Sequence, residues 1–382
     1  MKKLCILLLA LILAGCSTNL TAENTNKELV TVCRQVSARM SDVQSTEDGW
    51  YELFKHTDGT AEILFTDLST GIRKPLQTEN PIVTPYGIMN GMFIAGDKIY
   101  HYSYAYPESM NIEYRPGILY QYSTDGKLMN SVEMDEAVVL DMGSAVVYDG
   151  KHIYITGEDM NTGNDTLCLY SINTVSMGVE KIYSFDESIM RLDGCYKNSL
   201  IFEAMTHNDN KPDYCIMILD MDTMEMKTLF TPESSMVQLG EKLFFEHNKK
   251  NINATYDVTT RNYGKMKFFD DSSGINIMFL SRTAEADGKL LIKTRQGEEL
   301  KDYVYDFNTG KTSQVNWYYY DMPYFLDGKD TDYFLVPIAK EDHPLQELPV
   351  NARDRKFAII TAEDYYNGKD NLMYVKNEIN YH

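Results

Sequence analysis

Seven histidines are the first residues to test for chemistry: His56, His101, His152, His207, His247, His343 and His382. None forms an HxH or HExxH pair, the spacings that bring two imidazoles to one metal ion. His101 and His152 stand near the start of strand-like runs and read as structural. His207 and His343, the latter beside Glu341 and Asp342, are the right types for a general acid and base if the fold brings them together. No GxSxG, P-loop or GxGxxG stretch occurs, so nucleophile-elbow hydrolysis and nucleotide binding lose their usual signatures. The acidic stretches 158–165 (EDMNTGND) and 220–225 (DMDTME) lack the glycine and closing glutamate of an EF-hand loop and read as solvated surface. The sequence implies no metal and no cofactor.

The aromatic residues say more. Tyr numbers 28 against 2 Trp and 11 Pro, a bias toward strands. Two clusters fall in stretches that read as loops. One is Tyr104, Tyr106 and Tyr114 with Arg115 in 104–116, and the other is Trp317, Tyr318, Tyr319 and Tyr320 in 315–324. A Tyr ring offers rigid apolar area with a hydroxyl at its tip, which suits a protein, peptide or glycan surface. The alternative is that these rings pack on neighbouring elements.

A repeat supplies the scaffold that must position them. A tight-turn signal occurs seven times: Asp48-Gly49, Gly96-Asp97, Asp149-Gly150, Tyr196-Lys197-Asn198, Gly240-Glu241, Asp287-Gly288 and Asp327-Gly328. Each precedes a run of β-formers, such as IYHYSY from Ile99 or LLIKT from Leu290. A second turn, D-x-x-T-G-K or a relative, alternates with the first, as in ILFTDLSTGIRKPL (63–76) and VYDFNTGKTSQV (304–315). Asp or Asn opens that turn and Gly takes its left-handed position. Two hairpins per repeat make four antiparallel strands. The expected fold is therefore all-β, a seven-bladed β-propeller over 34–382, with six or eight blades left open. Both turn families share one face. The other face carries the longer connections, including 104–116, 157–165, 204–213, 337–355 and 315–324. The repeats, for example 287–311, resemble those of bacterial extracytoplasmic propellers of the TolB-like and YWTD-like kind. That resemblance lies in repeat style, without a YWTD, WD or Kelch motif.

Charge and the N-terminus give an address. Acids outnumber bases 56 to 36, a net charge of -20, the wrong sign for a nucleic-acid binder. Residues 1–15 carry Lys2 and Lys3 before an apolar run from Leu4 to Leu13, which fits a signal peptide and is too short to span a bilayer. The segment Leu13-Ala14-Gly15-Cys16 resembles the bacterial lipobox, which implies lipid on Cys16 and a cut before it. Residues 16–33 then read as a lipidated, flexible tether. Cys168 and Cys215 sit in apolar strand patterns and read as small buried hydrophobes. An extracytoplasmic disulfide among Cys33, Cys195 and the others is the alternative.

The expected protein is a lipoprotein of the bacterial cell envelope, held on a membrane outside the cytoplasm. Its propeller binds a protein, peptide or glycan partner without catalysis. The rival is a propeller enzyme, a glycan hydrolase or lyase with carboxylates at the central channel.

Overall fold

A computed structural model describes residues 29–33, 43–55, 60–76, 82–83, 88–105, 116–162, 166–185, 188–208, 211–230, 236–245, 252–269, 273–282, 288–316, 324–326, 330–338 and 356–377. Alternating burial along strands such as Ile118–Ser123 shows why they pair as they do. The two faces of that strand enter different seams, Leu119 packing with blade three and Tyr122 with blade one. Seven antiparallel sheets follow one another along the chain, each with a core of four consecutive strands. These are the blades of a seven-bladed β-propeller. First strands of neighbouring blades touch one another, so they line the axis.

Tight turns join first to second strands in blades one to five and third to fourth strands in blades one to six, and they rest on local hydrogen bonds, whereas helix Ala362–Tyr366 lies between the third and fourth strands of blade seven. Asp67, Asn173, Asp220, Asp257 and Asp306 open the second turn in five blades. Their side-chain oxygens accept from backbone N–H groups two or three residues on, as Asp220 does from Asp222 and Thr223 at 2.9 and 3.0 Å. Four residues after each opener the backbone turns left-handed. Gly71 and Gly310 sit there as expected, whereas Met177, Met224 and Arg261 hold φ of 55, 55 and 57°.

Apolar side chains fill the seams between blades. Phe93, Tyr100 and Tyr102 of blade two join Ile153, Ile155 and Tyr170 of blade three in one cluster. Polar latches cross the same seams. The Gln121 amide donates to the Tyr100 hydroxyl and the Thr174 carbonyl, both at 2.8 Å, and Gln238 donates to the Cys195 carbonyl at 2.8 Å. Closure uses the chain end. Lys376 and Asn377 pair in parallel with Ile72 and Arg73 on the outer edge of blade one. Trp50 and Leu68 of blade one pack with Leu326, Leu335 and Ile359 of blade seven. All four core strands of blade seven come from the C-terminal part of the chain.

Three expectations change. Strand Val30–Cys33 belongs to the propeller and not to a tether ending at 33, because it pairs antiparallel with Val146–Tyr148, the first strand of blade three. It also touches the first strands of blades two and four, so it occupies the axial channel. Residues 204–213 are mostly paired strand and not an open loop, since Ser199–Asn208 and Lys211–Asp220 pair from Ser199↔Asp220 to Asn208↔Lys211. Tyr104 lies in strand Lys98–Ala105, opposite Met89, and not in a loop.

Candidate functional site

A groove of about 400 Å³ runs along the junction of blades two and three. Three stretches build it: 132–138, where blade two ends and crosses over, Asp159 and Asn161 at the end of a blade-three strand, and Tyr170 with 177–181 on that blade's outer half. The crossover is held by Met134 N–H on the Gly117 carbonyl at 2.7 Å and Met160 N–H on the Ala137 carbonyl at 2.8 Å. Asp135 caps its own turn, accepting from Ala137 N–H at 3.0 Å.

The chemistry of the lining is mixed. Lys181 and Asp159 form an ion pair at 2.6 Å, and Asp159 also accepts from Asn161 N–H at 3.1 Å. The Lys181 ammonium holds the Asp159 carboxyl below the usual carboxylate range, and Asp159 in turn raises Lys181. Glu133 and Asp135 stand exposed at the rim, and neither has an ion-pair partner among the described residues. Val132, Val138 and Val179 are half-buried, and Met134 and Met177 are buried. The Tyr170 ring is 2% exposed, and its hydroxyl is buried against the Cys168 thiol. Burial, with the Cys168, Asp159 and Asp135 groups around it, raises its pKa.

Of the aromatic residues singled out from the sequence, Tyr104 is the described one. It is 2% exposed, its ring parallel to Tyr102 with centroids 6.5 Å apart, so it packs inside the propeller and offers no open surface. Tyr106, Tyr114, Arg115, Trp317, Tyr318, Tyr319, Tyr320 and Cys16 lie outside the described residues, as do His343, Glu341 and Asp342. His101 is fully buried and stacks on Tyr120. His152 Nδ1 lies 3.2 Å from Asp149 Oδ2. Cys168, Cys195 and Cys215 are buried, unbridged thiols. The groove itself was not legible beforehand. Asp159 lies in a stretch singled out as a 2–3 loop, but Tyr170 reads as an ordinary strand residue, and only the meeting of two blades places it in a groove wall.

No protein-family model matches the chain, and no curated protein matches it. Solved structures do. The fold is similar to the β-propeller domain of the Trilobed protease from Pyrococcus furiosus, with a TM-score of 0.52, 12% identity, and coverage of 88% of this chain and 97% of that one. It is also similar to the Pyrococcus horikoshii acylaminoacyl peptidase, with a TM-score of 0.53, 11% identity, and coverage of 91% of this chain and 54% of that one. The chain thus spans about half of that peptidase. TolB from Acinetobacter baumannii matches at 14% identity and a TM-score of 0.39, over 82% of this chain and 76% of that one. These likenesses are of fold.

Proposed function

We propose that this protein is a membrane-anchored envelope lipoprotein, lipidated at Cys16, whose propeller binds a protein, peptide or glycan partner without transforming it. The observation that carries the binding reading is the groove of about 400 Å³ between blades two and three, lined by both apolar and charged side chains. The anchor rests on the lipobox-like segment 13–16 and the apolar run before it. The rival, a glycan hydrolase or lyase with carboxylates in the central channel, is less favoured, because strand Val30–Cys33 takes up space along that channel.

Two measurements test the proposal. Cys16→Ser should move the protein from the membrane fraction to the soluble fraction, and the wild-type N-terminal peptide should carry acyl mass on Cys16. A wild-type peptide without that mass removes the anchor. Separately, the lipid-free protein starting after Cys16 should retain a stoichiometric partner from envelope extract. Turnover of a glycan in a substrate screen, with no partner retained, would favour the enzyme.

A further inference from the structure

We propose that the inner edge of blade three, in the axial channel, is a docking site for an extended peptide of a partner, and that residues 29–33 of the chain itself occupy it in this structure. The proposal rests on the reading of a binding propeller but not on the groove between blades two and three. All seven blades have four consecutive strands of their own. Val30–Cys33 is an added strand, brought from a distant part of the chain to the channel side of Val146–Tyr148. No blade loses a core strand when it leaves. Val146–Tyr148 then presents open N–H and C=O groups along one edge, the template on which an extended peptide adds as a further strand.

The segment is held as a bound peptide is held. Its main chain pairs antiparallel at Val30↔Tyr148, Thr31↔Val147 and Cys33↔Val146. Leu29 is 6% exposed and joins an apolar cluster with Ala145, Val147, Leu192 and Cys195. Thr31 Oγ1 accepts from the Cys195 N–H at 3.1 Å. Alternate residues of an extended chain face the same way, so Leu29 and Thr31 meet blades three and four while Val30 stands exposed. Of residues 29–32, Leu29 alone is buried. Few pairings and one buried side chain let this strand open at lower free energy than the blades. The edge therefore selects an extended peptide with a leucine-like side chain two positions before a threonine, and the chain's own segment competes with it.

The test uses the chain starting at 17 and the labelled synthetic peptide KELVTVS, which is residues 27–33 with Cys33→Ser. Leu29→Glu in the protein puts a charge into the apolar cluster and expels the segment. Thr31→Pro is a second variant, which removes a ladder donor and the hydroxyl without burying a charge. Both variants should stay folded, bind the peptide saturably and expose Cys195 to a thiol reagent, and bound peptide should restore its protection. The parent should bind the peptide at least about tenfold more weakly, because its own segment competes at an effective concentration on the order of millimolar. A control peptide with Leu29→Glu and Thr31→Val should also bind at least about tenfold more weakly. No saturable binding to either variant, or equal binding of the control, overturns the proposal. Cys195 as protected in both variants as in the parent overturns it too, because the segment is then fixed in place. Loss of the folded state in both variants does the same, because the blades then need the segment. The envelope capture is read separately. A partner retained there while the peptide fails rejects the channel site and leaves the binding propeller standing.

Discussion

Lys293 and Asp302 face each other across two strands of blade six, 3.2 Å apart, with side chains 0 and 4% exposed. Burial pushes the Asp302 carboxyl up to about 6 against the pull of Lys293. Removing one partner strands a buried charge, so Asp302→Ala should lose about 3–5 kcal/mol in denaturant unfolding. Replacing both, with Lys293→Met and Asp302→Leu, should be near neutral or stabilising. The sign with pH follows from the raised value. Between about pH 4 and 6 the folded protein keeps a proton that the unfolded chain has released, so this site stabilises below that window and loses its contribution as pH rises through about 6. Asp67, Asp159 and Asp220 are lowered and act in the opposite sense. The stability difference between the paired variant and the parent isolates Asp302, and it should shift in favour of the variant as pH rises from 4 to 7. A flat difference would remove the raised carboxyl from the account.

Turns rather than strands decide the element scale. The second turn of each repeat needs one left-handed residue, and the sequence pattern assigns it to Gly. Gly71 and Gly310 fit, but Met177, Met224 and Arg261 occupy the same place in three other blades. A Cβ there costs about 1–2 kcal/mol, partly offset by the freedom a Gly would lose on folding. Met177 and Met224 contribute side chains to hydrophobic clusters, whereas Arg261 is exposed. Arg261→Gly should therefore raise stability by about 0.5 kcal/mol, read as a small rise in melting temperature. A fall would mean that the Arg261 side chain contributes more than its backbone strain costs. The turn signals were legible because Asp and Asn hydrogen-bond locally. The extended hairpin at 199–220 was not, because its polar end, HNDNKPD, looks like a loop until His207 meets Pro212 and Asn208 meets Lys211 across the strands.

At the scale of the whole molecule, the chain passes along its own axis. Val30 pairs with Tyr148, which ends a first strand at the tight-turn face, and Cys33 pairs with Val146 nearer the long connections. The N-terminal strand thus enters from the tight-turn face. Thr31 Oγ1 accepts from Cys195 N–H at 3.1 Å and lies 3.2 Å from Cys195 Sγ, so the strand covers a thiol of blade four. A chain starting at 34, compared with one starting at 17, should melt lower. Its Cys195 should react at least about tenfold faster with a thiol reagent, by peptide mapping, since a thiol's reactivity depends on access. An unchanged rate in a folded protein would mean that the strand does not shield that position.

The sequence by itself determined the repeat and the two turn families and made seven the best blade count with six or eight open, because these rest on local rules: alternation of apolar residues, Asx hydrogen bonds and left-handed turns. It also carried the charge that disfavours nucleic acid. The tertiary structure decided everything that depends on residues far apart in the chain. It placed Tyr104 in the core, threaded Val30–Cys33 into the channel, closed the ring through Lys376–Asn377, and set Glu133, Asp159 and Tyr170 around one groove. The reason is physical. A strand residue's role depends on which neighbouring blade its side chain meets, and that neighbour is fixed only when the ring closes.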